Sequence, residues 1–422
     1  MTNPAAAHEG AAAQWDGSEV ERTFRQVYGQ AVSTLVRIFG DITLAEDSVQ
    51  DAFVIATDRW PREGIPPNPA GWIVTTARNR AIDQTRRSAR GPELHQELGF
   101  LVASLPAAGD LHNAQDQFED EVVSDDQLRL IFTCCHPALR SEHQVGLTLR
   151  LLGGLSVDEV ARSFLVSEPA MAKRLVRAKY KIKAAKIPYR VPSDADLPDR
   201  LQSVLSVLYL IYTTGANDTD RAPLRAEATR LARSLADLMP DEPEAAGLLA
   251  LIVLNEARAQ ARVVDIGVVR LAEQDRSLWD RDLIAEGQTI VRACIRRDEP
   301  GPFQLQAAIQ AVHCDAETFD ATDWAQIVTL YDHLLMVLPT PMVALNRAIA
   351  LSEVEGPAAG LATIDPLEVD LDSYHLLHAA RGTMLSELGK QSEAVAAFGR
   401  ALDLAATSSD RQFLSLQIEA LK

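Results

Sequence analysis

The chain has 422 residues, and chains of this length commonly fold into two or three domains. Hydrophobic residues make up 47% and aromatic residues only 5%, a composition that favours packed helices over sheets. A formal net charge of −18 excludes a protein that is basic throughout, and four cysteines in so long a chain exclude a disulfide framework. The composition therefore predicts an all-α protein, and the few cysteines fit a reducing cytoplasm. Since no signal peptide or apolar run of membrane-spanning length is evident, no membrane partner is predicted.

The N-terminal part predicts a tail followed by amphipathic helices. Residues 1–17 are Ala-rich and polar and are expected to form a disordered tail, whereas 19–39 carry apolar residues at helical spacing. Residues 45–56 repeat that spacing, with apolar residues that face the core and carboxylates at 46, 47 and 51. Residues 60–69 are too rich in proline to be helical and are predicted to form a loop.

A basic helix is predicted over residues 71–87. One line of this helix carries Trp72, Thr76, Asn79 and Asp83. Arginines dominate the rest of its polar surface, at Arg78, Arg80, Arg86 and Arg87. A helix with one packed side and one arginine-rich side can lie along a phosphate backbone. A solvated charged face is the alternative, and this helix alone does not decide between the two.

Two segments are predicted to connect domains. Residues 91–127 hold nine carboxylates and no Lys or Arg, and Gly, Pro and Asn interrupt any periodicity. We therefore predict a solvated acidic linker over 91–123. A second, polar segment over 188–198 is flanked by prolines and is predicted to be a hinge.

A helix-turn-helix is predicted between these two connecting segments. Ser156 and Glu159 have the capping-box spacing, and the turn Leu165-Val166-Ser167 separates two short helices. From 168 to 186 the chain has seven basic residues and one acid. Such a helix can enter the major groove of DNA with its N-terminal residues on base edges and its flanks on phosphate.

The pair Cys134-Cys135, followed by His136, has two interpretations. Zinc sites usually space their cysteines two to four residues apart, and adjacent cysteines on a helix diverge. Packing as small buried apolar residues is therefore favoured over metal binding. No nucleophile, phosphate-binding or dinucleotide motif occurs in the chain, so neither an enzyme nor a cofactor is predicted.

Residues 199–422 are predicted to form a domain of helical repeats. Within 373–406, small and large residues alternate as in a tetratricopeptide repeat, at Gly382, Gly389, Ala394, Phe398 and Ala401. Small residues let two helices approach closely, and each large residue fills the space so created. Earlier copies of this pattern are weaker.

Taken together, these motifs resemble a known family. The acidic helix, the tryptophan-led loop and the basic tryptophan helix resemble regions 2.1 to 2.4 of a bacterial sigma factor of the extracytoplasmic-function (ECF) type. The helix-turn-helix resembles region 4.2 of the same proteins. With the stretches 131–137 and 275–280, the chain resembles the ECF subgroup with a tetratricopeptide-like C-terminal extension, often labelled ECF42. The resemblance implies a sigma-2 domain at 18–90, a sigma-4 domain at 124–187 and a regulatory helical domain at 199–422.

The resemblance also implies a function, promoter-specific transcription initiation, and three sets of contact residues. The surface for core RNA polymerase, whose beta-prime clamp and beta flap are the expected partners, includes Asp47, Gln50, Asp51 and Phe53. Contacts to the −10 element of promoter DNA are expected from Trp60, Arg78, Asn79, Arg80, Asp83, Arg86 and Arg87. Contacts to the −35 element are expected from Ser167, Glu168, Met171, Lys173, Arg174 and Arg177. For Trp60, a stacking role on an extruded base and a place in the core remain open alternatives.

The C-terminal domain is expected to modulate activity or to bind a protein regulator. The competing interpretation is a transcriptional repressor or scaffold in which a conventional helix-turn-helix is joined to a tetratricopeptide domain and core polymerase is not bound. A repressor usually binds a palindrome as a dimer and needs no polymerase. That interpretation leaves the basic tryptophan helix and its acidic neighbour unexplained.

Overall fold

The computed structural model describes the chain in six stretches and divides it into two compact units. The described residues are 17–88, 116–164, 166–216, 222–264, 267–405 and 408–421. The units are Met1–Leu231 and Ala232–Lys422. Most of the predicted tail and linker, as well as Leu165 in the predicted turn, lie outside the described residues.

The first unit begins with three helices that pack around an aromatic cluster. They are α1 (Gly17–Phe39), α2 (Ile42–Glu63) and α3 (Pro69–Ser88). Asp41 caps α2, because its side chain accepts hydrogen bonds from the N–H groups of Thr43 and Leu44 at 2.8 and 3.1 Å. In the core, the ring of Phe53 lies 4.4 Å from that of Phe24, in an edge-to-face arrangement.

Helix α2 is longer than the sequence predicts. Trp60 and the three residues after it, assigned to the proline-rich loop, instead form the last turn of the helix. The Trp60 side chain is 1% exposed and its ring packs edge to face on Trp72 at 5.5 Å, so burial of the ring offsets the cost of a proline at the helix end. Gly64, with φ +86°, then ends the helix, and its N–H donates to the Trp60 carbonyl at 2.9 Å.

The rest of the first unit holds the predicted helix-turn-helix and its supporting helices. The helices are α4 (Asp116–Cys134), α5 (Ser141–Leu147, continued by a π-helical turn over Thr148–Leu152), α6 (Val157–Ser163), α7 (Glu168–Ala184) and α8 (Leu197–Ala216). The predicted capping box at the start of α6 is confirmed: Ser156 and Glu159 each accept from the other's backbone N–H, at 3.1 and 2.7 Å. Helix α4 begins at Asp116, inside the span predicted as linker, because its apolar C-terminal half packs in the core.

Helix α8 belongs to the first unit, although the sequence assigns residues 199–216 to the C-terminal domain. The Arg200 guanidinium donates to the Phe132 carbonyl of α4 at 2.6 Å. Val204, Leu205 and Leu208 in α8 are buried. The first unit thus continues to Leu231, well past the predicted boundary at 198, because α8 completes the core under the helix-turn-helix.

The second unit is built mainly of helices in sequence order. Helix α9 (Ala222–Leu238) contains the division between the units. It is followed by α10 (Pro243–Glu256), α11 (Ala259–Arg262), α12 (Arg281–Arg297), α13 (Pro302–Asp315), α14 (Trp324–Val337), α15 (Pro341–Glu355), α16 (Pro357–Ile364), α17 (Glu368–Leu371), α18 (His375–Glu387), α19 (Gln391–Leu404) and α20 (Ser408–Ala420). Short 3-10 turns lie at Leu271–Glu273, Arg276–Leu278 and Asp365–Leu367. Strands β1 (Val263–Val264) and β2 (Gly267–Val268) pair antiparallel, Val263 opposite Val268 and Val264 opposite Gly267.

Helices α18 and α19 show why the small and large residues alternate. A Cβ added at Gly382 in α18 would lie 2.8 Å from the Phe398 ring of α19, and Phe398 is 1% exposed. Ala394 and Ala401 are fully buried in the same cluster. Gly389, with φ +74°, turns the chain between the two helices. The all-α fold class is confirmed. Among the described helices, none has the length and apolarity needed to cross a membrane.

Candidate nucleic-acid interface

A groove runs between helices α2 and α3. Its cavity volume is about 230 Å³. Its walls are formed by Ile55, Arg59, Trp72, Thr76, Asn79, Arg80 and Asp83. The four residues predicted to share one line of the basic helix, Trp72 to Asp83, are all among them.

The packing of α3 determines which of its residues face this groove. Ile73, Ala77 and Ala81 are fully buried and hold the helix against the rest of the unit. The neighbouring line is therefore turned outward, and Asn79 and Asp83 are exposed. At the start of the helix the Asn68 side chain accepts from the Gly71 N–H at 2.8 Å, which fixes the entry of the chain.

The charges around the groove are those of an anion-binding surface. Arg80, Arg86 and Arg87 are exposed on α3, and Arg59 lies on the opposite wall. Arg78 is half-buried. Asp83 is the one carboxylate that lines this groove among the described residues, and it offers an acceptor beside the Asn79 amide. The groove can therefore receive a polar, negatively charged chain. The Trp72 side chain of the groove offers an aromatic edge at one end.

The second basic surface lies on α7, the second helix of the predicted helix-turn-helix. Ser167, Glu168, Lys173 and Arg177 are exposed, as expected for residues that contact DNA. Arg174 is half-buried, and its guanidinium lies 3.7 Å from the Glu142 carboxylate of α5. This contact ties α7 to α5 and leaves the Arg174 guanidinium only partly available to a ligand.

Met171 is a correction to the predicted −35 contacts. Its side chain is 1% exposed and lies on the same face of α7 as the buried Leu175, Ala178 and Ile182. Met171 therefore anchors the helix in the core. A residue on the first turn of a recognition helix faces DNA or the core according to helical phase, and Met171 has the phase of the core.

Two further predicted contacts are buried and are corrected for the same reason. Phe53 is 4% exposed, within the aromatic cluster of Phe24 and Tyr28, so only Asp47 and Asp51 of the predicted polymerase surface are exposed to solvent, Asp47 in part. Gln50 is half-buried, with its amide donating to Glu46 at 3.2 Å. Trp60 is also buried, so of its two alternatives, stacking on a base or a place in the core, the structure shows the core.

Asp47, on the exposed side of α2, has a perturbed carboxyl. Burial, followed by the charge of Glu46, raises the pKa of the Asp47 carboxyl.

A buried ionic cluster, which the sequence did not predict, joins α2 to α7 and to the π-helical turn before α6. The Glu46 carboxylate of α2 is 5% exposed and lies 2.6 Å from Arg150 Nε and 2.8 Å from Lys179 Nζ of α7. A similar pair links α1 to α4, where Arg37 Nε lies 2.7 Å from the buried Asp126. One signal was available: Glu46 has the helical phase of the apolar residues Val49 and Phe53.

The cysteines are buried and unpaired. Cys134 and Cys135 are free thiols in the core, and the Cys135 sulfur lies 3.5 Å from the Thr148 hydroxyl. Burial raises the pKa of Cys135 to about 12, so the thiol stays protonated. Packing as buried apolar residues is confirmed for both. Within the described part of the chain, no group of three or more His, Cys, Asp or Glu side chains could hold a metal ion.

Comparisons with known proteins find one family that matches the segment containing the groove. The sigma-70 region 2 family matches residues 23–91, which contain α2, α3 and the groove. A family of unknown function (DUF6596) matches residues 200–295. The "ECF RNA polymerase sigma factor SigK" of Mycobacterium ulcerans (strain Agy99) is 23% identical over 159 residues, which cover 37% of this chain and 76% of that protein. No solved structure matches the chain.

The N-terminal part of the chain thus contains a segment of the sigma-70 region 2 type. Along nearly its whole length, the chain is similar to the "Uncharacterized protein R00370" of Rhizobium meliloti (strain 1021). The two are 41% identical over 402 residues, which cover 93% of each protein. The chain therefore belongs to the same family as the Rhizobium meliloti protein.

Proposed function

We propose that the chain is an ECF-type sigma factor that binds core RNA polymerase and directs promoter-specific transcription initiation. The groove between α2 and α3 is the observation that carries this proposal. It combines an aromatic edge, an exposed amide, an exposed carboxylate and arginines within the segment that matches sigma-70 region 2. These are the groups that hold an unstacked base and the phosphates beside it.

In this proposal the groove receives the −10 element of the promoter. Asn79 and Asp83 hydrogen-bond base edges, and Arg80, Arg86 and Arg87 contact phosphates. Trp72, rather than the buried Trp60, supplies the aromatic surface, because it is half-buried and lines the groove. Arg78 supports the basic face from a half-buried position.

The exposed N-terminal part of α7 reads the −35 element in the major groove. Ser167, Glu168 and Lys173 lie at the leading end of the helix, where side chains reach base edges. Arg177 lies one turn further on and contacts phosphate. Arg174 joins them once its long contact with Glu142 is exchanged for DNA.

The exposed carboxylates of α2 dock the beta-prime clamp of the polymerase. Asp47 and Asp51 lie one turn apart on the exposed face of α2. The helix-turn-helix module engages the beta flap, and the helical C-terminal region, which has tetratricopeptide-like packing in α18 and α19, binds a protein regulator. This second unit modulates the sigma activity and has no catalytic role.

The experiment that tests the proposal is reconstitution with bacterial core RNA polymerase. The full chain is expected to co-elute with core enzyme and to start run-off transcription from the promoter of its own operon. The matched variants are Asp51→Arg, which reverses a charge on the docking surface, and Glu355→Arg, which reverses an exposed charge on α15 of the second unit. Only the first is expected to lose co-elution.

The competing repressor function predicts a different outcome. Tight binding of the isolated chain to a palindromic duplex, without any association with core polymerase, would contradict the sigma proposal. Co-elution without promoter-specific initiation would contradict the −10 and −35 assignments and leave the polymerase surface intact.

A further inference from the structure

A cleft of about 490 Å³ lies in the first unit, where α7 meets the end of α1 and the start of α2. This volume is within the range of small-molecule sites. Its apolar lining comes from both sides: Val36 and Ile42 on one, and Val176, Tyr180, Ile182 and Ile187 on the other. Val176 and Tyr180 are 62% and 71% exposed, so the cleft opens to solvent along α7.

The charged groups around the cleft are mostly positive. Lys179, Lys183 and Lys186 line it, against the single carboxylate of Asp41. Lys179 is engaged by Glu46 at 2.8 Å. Asp41 accepts two backbone hydrogen bonds as the cap of α2, and its carboxylate lies 3.9 Å from Lys183 Nζ. Lys183 and Lys186 are therefore the two exposed cations at the rim.

The backbone at Lys186 provides a second, independent observation. Lys186 has φ +51°, and among the described residues it shares a positive φ with one other non-glycine residue, Asp298. The position follows the end of α7, and the next N–H, that of Ile187, donates back to the Ile182 carbonyl at 3.0 Å. Glycine is the residue that this helix-end geometry favours. A lysine here costs backbone strain, and such strain concentrates at functional positions.

We infer that this cleft binds a small amphipathic anion, a molecule with one acidic head and an apolar chain or ring. The head lies between Lys183 and Lys186, and the apolar part lies along Val176, Ile182 and Ile187. A phosphate of DNA would pair with the lysines but leave the apolar walls in contact with water. An amphipathic anion pairs with the lysines through its acidic head and covers the walls with its apolar part. Because the walls belong to α2 and α7, an occupied cleft holds the two modules together. The effect of an occupied cleft on promoter binding rests on the proposed function, but the binding of the anion to the cleft does not.

The test is calorimetric titration of the full chain with decanoate, kept below its micelle concentration. One molecule is expected to bind per chain, and decylamine, which has the same chain length and the opposite charge, is expected to bind at least about tenfold more weakly. Inorganic phosphate alone is expected to show no comparable binding. Equal affinity for decanoate and decylamine would overturn the inference, and so would phosphate binding as tight as that of decanoate.

Variants locate the site and separate it from folding. Lys186→Gly removes one charge and relieves the positive φ, so thermal unfolding is expected at the same or a higher temperature while decanoate affinity falls about tenfold. Val176→Glu, at an exposed position of the wall, is expected to weaken decanoate in the same way. Lys181→Ala, on the same helix but outside the cleft, is the matched control and is expected to keep full affinity. Unchanged decanoate affinity in Lys186→Gly and Val176→Glu would overturn the assignment whatever the outcome with polymerase.

Discussion

Lys179 in α7 makes an ion pair with Glu46 in α2, with 2.8 Å between its ammonium nitrogen and the carboxylate. Arg150 binds the other oxygen of the same carboxylate at 2.6 Å, and its second nitrogen donates to the Leu155 carbonyl. One carboxylate thus serves two cations that belong to the helix-turn-helix and its support. In the first unit, this cluster joins α2, which forms one wall of the groove, to the basic helix α7.

Glu46→Gln is expected to destabilise the first unit by about 3 kcal/mol. The substitution keeps the shape of the side chain but leaves the buried Arg150 and the half-buried Lys179 without a counter-charge, and breaking a buried ion pair from one side is costly. Urea unfolding followed by fluorescence of the Trp60–Trp72 pair measures the change. Asp58→Asn removes one partner of the exposed pair with Arg62 and is expected to change the free energy of unfolding by less than about 0.5 kcal/mol. Equal effects of the two variants would show that the buried cluster is energetically neutral.

In the groove, Asn79→Ala is expected to weaken promoter binding by the polymerase complex. A lost contact to a base edge costs about 1–3 kcal/mol, a factor of roughly 10 to 100 in affinity. The loss is expected on promoter DNA and not on a duplex with an altered −10 element. Arg62→Ala, on the last turn of α2 and outside the groove, is the control. A gel-shift titration at one fixed salt concentration measures all four combinations.

On α7, Arg177→Ala is expected to weaken DNA binding evenly across sequences. A phosphate contact carries no sequence information, so the plot of log affinity against log salt concentration is expected to lose about one unit of slope. Arg162→Ala is the control, since Arg162 is exposed on α6 and pairs with Asp158 at 3.1 Å. A change in sequence preference with an unchanged salt slope would instead place Arg177 on a base.

Stability of the second unit is expected to fall in mild acid because of His313. Burial, followed by the charges of Arg258 and Arg276, lowers the pKa of His313 to about 3. In the unfolded chain the His313 imidazole binds a proton near pH 6.5, and in the folded chain it does not. The contribution of neutral His313 to the stability of the second unit is therefore complete above pH 6.5. It is lost as the pH falls from 6.5 towards 3.

His313→Phe is expected to flatten that dependence. Between pH 6.5 and 4.5 the free energy of unfolding of the wild-type second unit is expected to fall by about 2 kcal/mol more than that of the variant. Fluorescence of Trp324, whose ring lies 5.2 Å from the His313 ring, reports the transition. His333→Gln removes an exposed histidine and is expected to keep the wild-type slope.

Two glycines on neighbouring helices of the second unit are expected to respond oppositely to alanine. Gly382→Ala places a methyl group 2.8 Å from the buried Phe398 ring and is expected to destabilise the unit by about 1–3 kcal/mol. Gly399→Ala meets nothing within 4 Å and is expected to stabilise it by about 0.5–1 kcal/mol through helix propensity. Thermal unfolding of both variants measures the two signs. A stabilising Gly382→Ala would contradict the close approach of α18 and α19.

Local features of the fold were readable from the sequence. Helical spacing placed Asn79 and Asp83 on the outer line of α3, and the groove confirms that phase. The capping residues Ser156 and Glu159 marked the start of α6 correctly. These features depend on a few neighbouring residues, so one sequence contains all the information that they need.

Features that depend on distant partners were not readable. Trp60 was assigned to a loop because prolines follow it, and only its packing on Trp72 shows why the helix continues. Met171 was assigned to the DNA surface from its motif position in the resemblance, which does not show that its side chain is buried. The pairing of Glu46 with Arg150 joins residues 104 positions apart, and no local pattern specifies the partner.

Helix α8 limits how this chain can be shortened during evolution. It packs on α4 and α5, and Val204, Leu205 and Leu208 are buried, so a mutation that ends translation near residue 198 uncovers an apolar face. A descendant that ends near residue 198 must therefore also acquire polar residues on α4 and α5. The truncation and these substitutions would all be needed together. This requirement favours inheritance of α1 to α8 as one piece.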